Sequence, residues 1–290
     1  KSKLRMKYIK ELIDLITLEK TGENTFEGQN FQTSWGRVFG GQVLAQSLNA
    51  AYQTVPDDRY AHSLHGYFIL GGNLELPITY EVDIIRDGKS FTTRRVVAFQ
   101  RGSAIFNMSA SFQLLQQGVD HQNSMPNYIS PEKLLSDLEQ LEIQKTDPEV
   151  FERFKKIKPE VIEFRPVEKL SLRDNVNAPA ESNYWFRSKE ATPFEIPLQH
   201  QLLAYISDYG LLRTATLPHK KELSKGPTFY TSLDHALWFH RPFSLDQWLL
   251  YAMDSPSASN SRGFSRGSIF DREGLMVASS AQEGLIRQLL

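Results

Sequence analysis

No cysteine occurs among the 290 residues. That absence removes disulfides, cysteine-ligated zinc and a thiolate nucleophile, while leaving the redox compartment undetermined. There is no excess of either charge: 33 Lys and Arg stand against 34 Asp and Glu, a formal net charge of −1. Such balance gives no basic footprint for nucleic acid and no charged tail, so nucleic acid is not an expected partner. Long apolar runs are also lacking. None approaches the roughly 18–20 residues that a membrane span needs. The segment Lys1 to Lys20 is interrupted by charges throughout and does not read as a secretory signal. What remains is a composition of 40% hydrophobic and 23% charged residues, suited to a sizeable soluble core. The length is comfortable for two domains of ~100–200 residues.

Ile9, Leu12, Ile13, Leu15 and Ile16 fall at helical spacing among Lys10, Glu11 and Asp14, with Gly22 beyond. Gly40-Gly41 opens a second helix carrying Val43, Leu44, Leu48 and Ala51, stopped before Pro56. The period then changes to two. Strands are expected at 63–70, 78–85, 91–100 and 104–115, with a hairpin signal at Asp87-Gly88. Residues 116–180 are rich in Gln, Pro, Lys and Glu, with one helical pattern (Leu134, Leu135, Leu138, Leu141) behind Pro131-Glu132. They read as a surface connector. An apolar helix at 199–212 follows, then strands near 228–240, 246–254, 260–270 and 275–285. The expected organisation is a first unit at 1–115, a connector at 116–180 and a second unit at 181–290.

The two units repeat one pattern. Ser63 and Gln113 stand fifty positions apart, as do Ser232 and Gln282, and a helix precedes each meander. Duplication is the better reading. Two helix-on-sheet units can join their sheets edge to edge and bury both helices, which also removes exposed strand edges. The expected class is therefore α+β, two helix-wrapped antiparallel sheets joined into one.

Several residues could carry chemistry. Gly263-Phe264-Ser265-Arg266-Gly267 matches G-x-S-x-G, but that motif needs a strand turning sharply into a helix. Here strand, turn and strand follow, so Ser265 reads as a decoy. Asp208 is expected on a helix beside Ala204, Tyr205, Leu211 and Leu212, where a carboxylate is either buried with partners or at a rim facing water. Spacing leaves these level. Ser232 and Gln282, at the ends of the second meander, read singly as polar strand residues. With Asp208 they could hold a water: the carboxylate takes its proton while hydroxyl and amide orient it. His62 and His65 differ by three and would point to opposite faces of a strand, which argues against a metal pair. Hydrogen-bonded histidines within a sheet are the expectation for most of His62, His65, His235 and His240.

The segments Gly36 to Gln42, His62 to Phe68, Arg86 to Phe91, Met108 to Gln113, Ser207-Asp208, Ser232 to Pro242 and Ala278 to Gly284 together resemble the acyl-CoA thioesterase II family. The likeness runs in order over roughly residues 10–287. It implies a double hot-dog fold and hydrolysis of fatty acyl-CoA to free acid and CoA, without a metal or organic cofactor. It also implies that Asp208, Ser232 and Gln282 position the attacking water, with Ser232 standing where many relatives carry Thr and Thr231 pointing to the opposite face. His62 matches a family histidine and is kept as a possible accessory residue. A homo-oligomer is implied too.

The helix at 41–51 offers only Gln42, Gln46 and Asn49 as polar candidates, which predicts one working site per chain. Oxyanion donors are expected at Gly40-Gly41 or in the backbone beside Ser232. Arg94, Arg95, Arg262 and Arg266 are candidate cations for CoA phosphates, each equally readable as a solvated strand residue. A hot-dog hydratase or dehydratase, and a non-catalytic acyl-CoA-binding protein, remain alternatives. The last residues, Gln288-Leu289-Leu290, do not form a peroxisomal Ser-Lys-Leu address, so a cytoplasmic setting is expected.

Overall fold

The structure, a computed structural model, describes residues 6–170 and 176–289. Lys1 to Arg5 of the N-terminal segment, positions 171–175 of the expected connector and Leu290 of the C-terminal tripeptide lie outside the described residues.

The first half carries α1 (Ile9–Ile16), β1 (Glu19–Lys20), β2 (Thr25–Gly28), α2 (Gly40–Tyr52) and the meander β3 (Tyr60–Phe68), β4 (Ile78–Asp87), β5 (Phe91–Gln100) and β6 (Ser103–Gln113). Then come α3 (Asp137–Ile143), α4 (Pro148–Lys155), β7 (Ile162–Pro166) and β8 (Glu181–Ser188). The second half continues with α5 (Ile196–Ser207), α6 (Leu211–Thr216), α7 (Lys220–Leu223), β9 (Thr228–Ser232), β10 (Asp234–Phe239), β11 (Leu249–Ser259), β12 (Arg262–Phe270) and β13 (Met276–Gln288). Among the described residues, all thirteen strands form one antiparallel sheet in the order β1-β2-β4-β5-β6-β3-β10-β13-β12-β11-β8-β7, with β9 also on β13. The halves meet where β3 pairs β10, Leu64 opposite Leu237. This is the double hot-dog arrangement.

The sheet wraps two helices. Every residue of α2 from Gly41 to Ala51 is buried, and so is α5 from Gln199 to Ser207. A helix buried all round must carry small or apolar residues, or polar ones with partners. Apart from the Ser47 hydroxyl, which is buried without one among the described residues, the polar side chains of α2 have them. Gln42 donates to the Gln29 carbonyl and Asn30, Tyr80 donates to Gln46 Oε1 at 2.6 Å, and Asn49 donates to Gln201 Oε1 at 2.9 Å. Tyr52 OH lies 2.8 Å from His200 Nδ1. The start of α2 faces the end of α5, so the helices run antiparallel. A Cβ on Gly41 would stand 2.3 Å from the Tyr205 carbonyl oxygen, so only glycine allows this approach.

Four expectations need correction. The stretch 116–180, expected as a connector, contributes the edge strand β7, which pairs β8 with its buried Tyr184-Trp185-Phe186. Residues near Met125–Leu134 cover the outer face of the second half, against Trp185, Trp248, Leu250 and Phe270. The helix expected at 199–212 is two helices broken at 208–210. The strand expected at 228–240 is broken at Leu233. The equal spacing of Ser63–Gln113 and Ser232–Gln282 does not reflect equal register. Ser63 pairs Ser111 and lies two residues short of Gln113, whereas Ser232 pairs Gly284, two residues beyond Gln282.

Candidate active site

Helix α5 ends at Ser207, and Asp208 is its cap residue. Gly210, at φ +96°, turns the chain into α6, a conformation that a side chain would strain. Asp208 therefore does not sit on a helix face beside Leu211 and Leu212, as its spacing predicts. It is at a helix end, yet it does not face water: its side chain is 6% exposed. An anion at a helix C-terminus is disfavoured by the dipole. The antiparallel packing reverses the local field, because Asp208 lies against the first residues of α2 and accepts a hydrogen bond from Gly41 N–H. A Cβ on Gly40 would stand 2.7 Å from Asp208 Oδ2, so glycine makes room for the carboxylate there.

Ser232 closes β9 at a bulge. Ser232 pairs Gly284 while Ala236 pairs Ala281, so one extra residue lies on the β9–β10 side. The break has a visible cause: Glu283 N–H donates to the Asp234 carboxylate at 2.6 Å instead of to a strand carbonyl. Leu233 N–H returns to Glu283 O, and Leu233 O accepts from Phe68 N–H in the other half. Gln282, on β13, bridges the other two groups. Its Nε2 donates to Asp208 Oδ1 at 2.7 Å and to Ser232 Oγ at 3.0 Å. Thr231 Oγ1 instead donates to the Ser232 carbonyl and stays out of this network.

Burial pushes the Asp208 carboxyl up to about 6, opposed by the hydrogen bonds from Gln282 and Gly41. His235 Nδ1 lies 3.9 Å from Asp208 Oδ1, but burial pushes that imidazole down to about 3. It is neutral at pH 7 and supplies no counter-charge. Its Nε2 lies 2.9 Å from Ser207 Oγ. An acid titrating near 6 and still ionised at pH 7 is matched to taking a proton.

Asp208 and Ser232 line a cavity of about 520 Å³ whose walls include Phe39, Gly40, Phe68 and Leu212. Its mouth carries Trp35, Arg37, Leu70 and Tyr230. His62 is set apart. It lies on β3 six residues from Phe68, roughly 20 Å along the strand from the Leu233 contact. Its Nε2 is 2.8 Å from Ser111 Oγ, just as His240 Nε2 is 2.8 Å from Ser279 Oγ. Ser265 lies mid-strand in β12, fully buried opposite Gln282, with no strand-to-helix turn behind it.

The four arginines weighed both as phosphate contacts and as solvated strand residues are engaged with the protein's own groups. Arg94 is buried on Thr54 and Asp87, and Arg95, Arg262 and Arg266 pair with Asp83, Glu283 and Asp254. Arg37, within the motif Gly36 to Gln42 but absent from those candidates, lines the cavity. Among the described residues no group of three or more His, Asp or Glu could hold a metal ion, and no helix is long and apolar enough to cross a membrane.

A two-half hot-dog chain with an acid, a hydroxyl and an amide at one cavity points to acyl-thioester chemistry as a class. Residues 161–285 match the family model described as acyl-CoA thioesterase, and residues 31–113 match the acyl-CoA thioesterase N-terminal domain. The chain belongs to the acyl-CoA thioesterase family. It is 39% identical to acyl-CoA thioesterase 2 of Haemophilus influenzae, over 96% of this chain and 98% of that one. It is 36% identical to human acyl-coenzyme A thioesterase 8, over 94% of this chain and 88% of that one. The crystal structure of acyl-CoA thioesterase II TesB2 from Mycobacterium marinum superimposes with a TM-score of 0.79 at 37% identity, covering 95% of this chain and 98% of that one.

Proposed function

We propose that this protein hydrolyses fatty acyl-CoA to free acid and CoA, by attack of a water that Asp208, Ser232 and Gln282 position. The observation that carries this reading is the Gln282 amide bridging the Asp208 carboxylate and the Ser232 hydroxyl at a cavity wall. With both amide hydrogens committed, Gln282 holds the two oxygens at a fixed separation. The ionised carboxylate accepts the proton of the attacking water, and the serine hydroxyl orients that water's lone pairs.

A nucleophilic serine would need a base on its own hydroxyl. Ser232 Oγ instead receives a hydrogen bond from Gln282, whose amide nitrogen takes no proton. Water attack is the simpler chemistry. For the developing oxyanion, the backbone amides at the start of α2, Gly40 and Gly41 beside Asp208, are the donors on that side. His62 takes no part in the reading. Cytoplasmic residence and a homo-oligomer belong to it as well, checked by cell fractionation and light scattering.

Asp208→Ala is expected to fold as the parent does and to lose ~10²–10⁴ in kcat, the usual share of a positioned acid–base group. Thiol release from acyl-CoA measures this, with circular dichroism as the control for folding. Undiminished turnover in the folded variant removes the assignment, and a stoichiometric burst of acyl-enzyme on Ser232 replaces water attack by nucleophilic serine.

A further inference from the structure

Coenzyme A carries its charge far from the reacting carbon, as a pyrophosphate and a 3′-phosphate joined to sulfur by a neutral pantetheine arm. Phosphate oxygens are best met by the planar, forked donors of arginine. Arg37 differs in two ways from the four strand arginines. It lines the same cavity as Asp208 and Ser232. Its guanidinium also has no carboxylate partner among the described residues, whereas each of the other four does.

The side chain is nonetheless held. Its guanidinium carbon stands 5.2 Å from the centre of the Phe229 ring, within cation–π reach. Below it lies Gly71, where a Cβ would come within 3.1 Å of Arg37 Cδ. The backbone is pinned on both sides: Thr33 Oγ1 donates to Arg37 O at 2.5 Å, and Val38 N–H donates to Gly72 O at 3.1 Å. Gly36, at φ +75°, makes the turn that brings the chain to the mouth. Arg37 is three residues from Gly40, which touches Asp208, and three extended residues span at most ~10 Å. Adding the arginine's own length places the cation at the mouth, where the pantetheine arm would deliver a phosphate.

We propose that Arg37 is the subsite for a phosphate of the coenzyme A moiety and sets the preference for CoA thioesters over uncharged thioesters of the same acyl chain. This rests on the reading of the Asp208 cavity as the seat of the thioester. The test compares the full-length parent with Arg37→Gln and Arg37→Lys on three substrates sharing one acyl group: acyl-CoA, acyl-3′-dephospho-CoA and acyl-N-acetylcysteamine. For Arg37→Gln, kcat/KM on acyl-CoA should fall ~10–100-fold, mainly through KM, the size of one charge-assisted hydrogen bond. The preference for acyl-CoA over the cysteamine ester should shrink by ~10-fold or more, and Arg37→Lys should recover part of it. Equal losses on both CoA substrates assign the pyrophosphate, and a loss confined to acyl-CoA assigns the 3′-phosphate; either upholds the proposal. An unchanged preference, or one loss shared by all three substrates, overturns it. Full turnover in Asp208→Asn would sink the cavity reading instead, whatever Arg37→Gln does.

Discussion

The antiparallel helix pair has two ends, and they are finished in opposite ways. Where α2 stops, the buried guanidinium of Arg94 donates to the Thr54 carbonyl at 2.8 Å and to Thr54 Oγ1 at 2.9 Å. Beside it, Tyr52 meets His200, a neutral imidazole stacked 3.9 Å from Phe239. A cation at a helix C-terminus obeys the dipole. Where α5 stops, a buried carboxylate occupies the corresponding place and opposes its own helix, held by Gly41 N–H and the Gln282 amide. The end that obeys the local rule is structural. The end that breaks it faces the cavity, as expected of groups kept for chemistry rather than for stability.

That contrast can be tested from both sides. After Asp208→Ala, the largest effect is expected for Gln282→Leu, which keeps the volume and removes both donors. Its kcat should fall ~10–100-fold, as for loss of a hydrogen bond to a charged group, when thiol release is followed at saturating acyl-CoA. At the other end, Arg94→Leu should cost ~2 kcal/mol of stability by leaving the Thr54 carbonyl unpaired, seen as a lower Tm with little change in kcat per folded molecule. His62→Ala should leave kcat within a factor of ~2.

A further effect concerns protonation. Asp208 binds its proton more tightly folded, at about 6, than unfolded, near the usual carboxylate 3.8. Between those values the native state holds more protons than the unfolded one, so this group's contribution to stability falls as pH rises from about 4 to 6. Asp208→Asn should therefore be more stable than the parent by ~1–2 kcal/mol at pH 7, a gain that vanishes by pH 4 in thermal melts. Over the same window kcat of the parent should rise with pH and level off above about 6, because the ionised form is the base.

Much of this architecture can be read from the chain. Hydrophobic periods placed α1, α2 and the first meander, and the turn signal at Asp87-Gly88 lies where β4 hands over to β5. The break at 208–210 stayed hidden within one apolar run at 199–212, and nothing local shows that the end of α5 is buried against a second helix. What stayed hidden depends on distant partners. The break at Leu233 follows from Asp234 reaching Glu283, 49 residues away, and no local pattern encodes that. The matching intervals in the two halves misled because counting residues is blind to sheet register. In β8, Tyr184-Trp185-Phe186 has no alternation, since the flanking connector buries its outer face as well. Asp208, Ser232 and Gln282 emerged only from the order of several weak motifs. Arg37 did not emerge, because freedom from a carboxylate is a property of the folded surface.

The β3–β10 seam joins the two sheets within a single polypeptide rather than between identical subunits. In a symmetric pair of separate chains, each substitution would be felt twice, and a guanidinium introduced at one helix terminus would abolish the acid at its mate. Covalent fusion lifts that constraint, letting one terminus specialise in cohesion while the other retains a costly buried carboxylate at the cavity.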